Sequence, residues 1–170
     1  MEHIALMGLF LAFVLIMGLV ERMIPLDFVI PGVKLGLSNA AIMLAMYRIR
    51  YPKLLLLAVG KCVALSLLGG GVVSFFYSLA GSLVSVSAMY LLKKTVGRHV
   101  SPVGISVVGA VCHSLGQLAV ASALLGSLFA IAYMPLMIVL SGVTGVLVGI
   151  LVKGALVCVE KTNLSPIRQK

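Results

Sequence analysis

Long apolar runs broken by short polar stretches dominate this chain. The runs cover about 3–24, 37–50, 52–68, 72–94, 103–125 and 129–153, and each reads as a helix. A membrane-crossing helix needs about 20 apolar residues, so the pattern predicts six transmembrane helices, the second of them short. None of the runs alternates with the period of two that a barrel strand shows, and an open sheet cannot span lipid. Pro52 suits a first helical turn. Pro135 offers a second start for the sixth helix, which would leave GSLFAIAYM as an apolar connection. The expectation is an all-α integral membrane protein with one transmembrane domain over 1–170 and a short tail over 154–170.

Composition agrees with this reading. The chain is 62% hydrophobic and 10% charged, whereas soluble domains run at about 45–50% and ~25%. A soluble fold of this size cannot hide so much apolar surface, so the solvent is lipid. The N-terminal run lacks a basic flank and a cleavage site followed by a polar chain, so it reads as a retained span rather than a signal peptide. Cys62, Cys112 and Cys158 form no CxxC pair and read as buried apolar thiols.

Charge position fixes an expected orientation. Of the thirteen Lys and Arg residues, ten fall on one side of a six-span chain. Arg48, Arg50 and Lys53 follow helix 2, Lys93, Lys94 and Arg98 follow helix 4, and Lys153, Lys161, Arg168 and Lys170 end the chain. The positive-inside rule then places both termini in the cytoplasm. It also accounts for the net charge of +9 without nucleic acid.

Several residues are ones that lipid does not tolerate. Lys61 sits within KLLLLAVGKCVALSLL, and a Lys at mid-bilayer costs about 2.5–3.5 kcal/mol. It needs either an acidic partner, with Glu21 and Asp27 the candidates, or an anionic ligand group. His113 and Gln117 lie four apart on one helix face, flanked by Gly109 and Gly116. They form a polar notch suited to interhelical hydrogen bonds or to a cavity. Small residues make stripes that let helices approach closely: Ala5, Gly8 and Ala12 on helix 1, Ser74 to Ser85 on helix 4, Ser141, Gly145 and Gly149 on helix 6. Such stripes serve internal packing or a partner helix, and the helix 1 stripe is the best candidate for a partner.

Catalysis is hard to build here. There is no P-loop, no Asp-rich pair to hold magnesium and diphosphate, and only four acids: Glu2, Glu21, Asp27 and Glu160. The sequence implies no cofactor and no metal, since the Met1-Glu2-His3 terminus has no supporting cluster. A membrane enzyme with His113 as base is the weakest reading.

The segment MIPLDFVIPGVKLGLSN joins helices 1 and 2. Its prolines forbid a plain helical hairpin and favour an extended cap. Ser38 and Asn39 suit an N-cap for helix 2 or a ligand contact below a lid, with Lys34 and Asn39 facing the ligand. The segment Pro31-Gly32-Val33-Lys34-Leu35-Gly36-Leu37-Ser38-Asn39 resembles the hairpins of substrate-binding S-components of energy-coupling factor (ECF) vitamin transporters. Together with the ERMIP start, YSLAG (Tyr77–Gly81) and the H-x-x-G-Q of His113–Gln117, it looks like the Gx transporter family, often labelled heptaprenyl diphosphate synthase component I. The resemblance covers nearly the whole chain.

It implies a six-helix S-component-like bundle with a structured outer hairpin in the bacterial cytoplasmic membrane. Such a protein would capture a small molecule and dock onto an ECF coupling subunit driven by ATPases. The family's A-x-x-x-A docking motif corresponds to Gly8-x-x-x-Ala12, with Gly for the first Ala, and Gly36 and Asn39 stand where acids are usual. The candidate ligand contacts are Lys34, Ser38, Asn39, Lys61, Tyr77, His113 and Gln117; the candidate docking face is Ala5, Gly8 and Ala12. The expected function is uptake of a small anionic or amphipathic molecule, such as a vitamin or a quinone or isoprenoid precursor. The rival is a non-transporting accessory subunit of prenyl-quinone synthesis.

Overall fold

A computed structural model describes residues 2–23, 36–125 and 127–161. They form six helices: α1 (Glu2–Met23), α2 (Leu37–Met46), α3 (Tyr51–Leu65), α4 (Gly71–Val96), α5 (Pro102–Leu125) and α6 (Ser127–Lys161). There is no strand among the described residues. All helices but α2 are long and apolar enough to cross a membrane. At about 1.5 Å per residue, α2 is only ~15 Å long, half of what a span needs.

The joints follow from local chemistry. α2 starts after Gly36, whose φ of 79° is left-handed and unfavourable for any residue with a Cβ. Ser38 and Asn39 therefore lie inside the first turn, and neither is the N-cap that the sequence suggested. Pro52 sits in the first turn of α3, where a missing N–H costs nothing. The glycine run turns α3 into α4: Ser66–Gly70 forms one wide turn, and Gly69 takes a φ of 108°. α5 opens on Ser101, whose hydroxyl accepts the Gly104 N–H at 3.2 Å. α6 starts at Ser127, runs through Pro135 and continues to Lys161. It thus has neither the later start that Pro135 offered nor a tail from 154. Proline is tolerated in membrane helices, where neighbouring groups satisfy the freed carbonyl, and an exposed Lys153 can reach towards water without ending the helix.

The long helices form an open row, α1–α3–α4–α5–α6, and α2 fills its middle, touching α1, α3, α4 and α6. The apolar core gathers around α2, with Ile42, Met43 and Met46 packed among Val14, Leu54, Leu57, Val86, Ile105 and Val152. Large apolar side chains also cover the outside, among them Leu9, Leu56, Val72, Leu115 and Leu147. That surface suits a hydrocarbon solvent.

Glycines set how closely the last three helices pack. A Cβ on Gly116 would come 2.8 Å from the Ala80 carbonyl oxygen, one on Gly145 2.8 Å from Val107 Cα, and one on Gly149 2.6 Å from Val103 Cα. α5 is therefore gripped on both sides at backbone contact distance, as small residues permit in lipid. The C-terminal end of α2 is held by polar contacts. Lys93 Nζ donates to the Met46 carbonyl at 3.0 Å and lies 4.0 Å from the centre of the Tyr47 ring. Close by, the Tyr51 ring packs on Tyr90 at 4.7 Å, and its hydroxyl bonds Ser87 at 2.9 Å.

Candidate functional site

Four helices turn polar groups towards the bundle interior. On α3, Lys61 lies opposite the exposed Leu56 and Val63, and only 3% of its surface is accessible. Its Nζ donates to Asn39 Oδ1 on α2 at 2.9 Å. One residue on, Cys62 Sγ donates to Ser82 Oγ on α4 at 3.6 Å. The His113 ring packs against Gly81, so closely that a methyl there would meet Cε1 at 2.8 Å. Gln117 is buried one turn beyond. Both point away from the exposed face of α5, marked by Val108 and Leu115. Ser85 Oγ, between Ser82 and Met89 on α4, is buried with no hydrogen-bond partner.

The sequence candidates separate accordingly. Lys61 and Asn39 are in direct contact. His113 and Gln117 share their face of α5, and the His113 ring lies against Gly81 of α4, apart from the α2–α3 contact of Asn39 and Lys61. Ser38 is adjacent to Asn39, but its hydroxyl is taken by Glu21. Tyr77 packs against Leu118 and Ala121 at the α4–α5 contact. Lys34, Asp27 and the whole 24–35 connection lie outside the described residues. Ala5, Gly8 and Ala12 are all exposed on α1, and a Cβ on Gly8 would meet nothing within 4 Å.

Three features were not legible as site elements. Glu21, offered by the sequence as a mate for Lys61, instead accepts from Gly36 N at 2.6 Å, from Ser38 N at 3.3 Å and from Ser38 Oγ at 3.2 Å. Arg22, within the ERMIP stretch, donates to the Leu65 and Leu68 carbonyls at 2.6 and 3.2 Å. Ser114 and Ser141 hydrogen-bond across α5 and α6, with Ser141 also donating to the Met137 carbonyl at 2.6 Å. The acid-poor sequence hinted that Glu21 matters; nothing local marked its partners. No group of three or more His, Cys, Asp or Glu residues that could hold a metal ion occurs among the described residues.

An all-helical membrane bundle with charged and amide groups inside it is thus defined by both fold and interior. The sequence model of the family described as Heptaprenyl diphosphate synthase component I matches residues 10–155, and the chain belongs to that family. Neither a curated protein nor a solved structure matches the chain.

Proposed function

We propose that this protein is a substrate-binding membrane subunit of the S-component kind, taking up a small anionic or amphipathic molecule. The observation that carries the reading is Lys61, a mid-helix ammonium held inside an apolar bundle by the Asn39 amide. A buried cation in lipid is costly and marks ligand or ion sites more often than it stabilises a fold. His113 and Gln117, on the α5 face turned to α4, would supply neutral hydrogen-bonding groups for the rest of a ligand, and charge-assisted bonds from Lys61 suit a carboxylate or phosphate. The outward stripe of Ala5, Gly8 and Ala12 supports docking of a partner membrane helix, for which an ECF coupling subunit with its ATPases is the proposed occupant. The protein then has no catalytic role of its own. It sits in a bacterial cytoplasmic membrane with both termini inside, as the Lys and Arg distribution favours.

The family description favours a second reading, a non-catalytic membrane component serving heptaprenyl diphosphate synthesis. One experiment separates the two. The full chain is purified from native membranes, and co-purifying small molecules and proteins are identified by mass spectrometry. A retained small molecule together with an ATPase module is the expected result. Recovery of a prenyl diphosphate synthase, with no small molecule retained, would establish the second reading instead.

A further inference from the structure

Two consecutive residues at the C-terminal end of α1 hold the ends of two other helices. The Glu21 carboxylate takes the Gly36 N–H at 2.6 Å and the Ser38 N–H and hydroxyl at 3.3 and 3.2 Å, at the start of α2. The Arg22 guanidinium takes the Leu65 carbonyl at 2.6 Å and the Leu68 carbonyl at 3.2 Å, at the end of α3. The signs match the helix dipoles: an anion at the positive N-terminus and a cation at the negative C-terminus. The start of α2 has no side-chain cap of its own, so Glu21 supplies from another helix what α2 lacks locally.

These contacts close a ring. Glu21 holds Ser38; the next residue, Asn39, accepts from Lys61; Lys61 lies one turn before Leu65, whose carbonyl returns to Arg22. The separation of Asn39 and Lys61 is thereby set from α1. We infer that Glu21 and Arg22 are positioning residues that fix the Asn39–Lys61 pair from the helix bearing the outward Ala5–Gly8–Ala12 stripe. The inference rests on the reading of Asn39 and Lys61 as ligand-binding groups.

The test uses the full chain in lipid nanodiscs, as wild type, Glu21→Ala, Glu21→Gln, Arg22→Ala and Arg22→Lys. Amide hydrogen exchange is followed over 36–40, 65–70 and, as a remote reference, 141–150. The small molecule retained through purification is quantified by native mass spectrometry. Loss of a charge-assisted contact predicts about tenfold faster exchange over 36–40 in Glu21→Ala and over 65–70 in Arg22→Ala, with 141–150 unchanged. Retained molecule falls by a similar factor, while Glu21→Gln and Arg22→Lys, which keep an acceptor or a cation, lie between. Unchanged retention in both alanine variants overturns the inference, as does faster exchange spread evenly over all three segments. If the wild type itself retains no molecule, the binding reading fails, and exchange over 36–40 and 65–70 still decides whether α1 holds the two helix ends.

Discussion

Gly116→Ala adds one methyl group where the structure leaves no room for it. The new Cβ would lie 2.8 Å from the Ala80 oxygen, 2.9 Å from Gly81 Cα and 3.0 Å from the Ala80 carbonyl carbon. All three are backbone atoms of α4, so no side chain can swing aside, and the two helices must move apart. Overpacking of this kind costs roughly 1–3 kcal/mol. Replacing a helical glycine by alanine also gains about 1 kcal/mol of helix propensity, which blurs the measurement on its own. Gly8→Ala removes that ambiguity, since its Cβ meets nothing within 4 Å and it gains the same propensity. The difference between the two variants isolates the packing term at about 1–3 kcal/mol, with Gly116→Ala the less stable. Reversible unfolding in mixed micelles, or steric trapping in bicelles, measures it. Equal stabilities, or a more stable Gly116→Ala, would refute the close approach of α4 and α5. A second consequence is local: Gln117 follows directly on Gly116, so the same shift turns its amide and should weaken retention of any interior ligand.

Three other outcomes follow. Ser114→Ala and Ser141→Ala should each cost about 0.6–2 kcal/mol, and the double variant should cost less than their sum, because one shared hydrogen bond is lost only once; strict additivity in the double-mutant cycle would rule out the bond. A membrane-impermeant maleimide should label exposed Cys158 and leave buried Cys62 unmodified, and labelling in intact cells only after permeabilisation would place the C-terminal end of α6 inside. Burial pushes the Tyr47 phenol above its ordinary value. The unfolded chain then loses that proton first, so the Tyr47 contribution is complete below about pH 10 and is lost as pH rises through the raised value. Tyr47→Phe keeps the ring under Lys93 and should flatten alkaline melting curves by that share, which matched melts from pH 8 to 11 would reveal or deny.

Much of the architecture was legible because lipid imposes a plain rule on spans. The apolar runs located all six helices, and the four-residue spacing of His113 and Gln117 placed them on one face. Lys61 announced an interior polar site by being intolerable anywhere else. What escaped was the pairing of residues far apart in the chain. Glu21, along with Asp27, looked like a candidate counter-ion of Lys61 because acids are scarce. The α2 N-terminus took it instead, offering two N–H groups and a hydroxyl that α2 could not satisfy from its own first turn. Ser114 and Ser141, 27 positions apart, are each unremarkable as single serines in an apolar helix. Proline and lysine misled at α6, since both are stop signals in water that a long membrane helix can absorb.

The shortness of α2 has a consequence for how the chain is made. Ten residues cannot hold a place across a bilayer by themselves, and three of the helices that flank α2, namely α3, α4 and α6, are synthesised after it. When α2 leaves the ribosome, only α1 is present to receive it. Glu21, already in place on that helix, can engage the α2 N-terminus at this stage, but the far side of α2 stays uncovered until the last helix arrives. Assembly of this protein is therefore a late event, completed by its C-terminal helix. A chain interrupted after α5 would carry five correctly ordered segments around a core that cannot close, and membrane quality control would meet it as an unfinished protein.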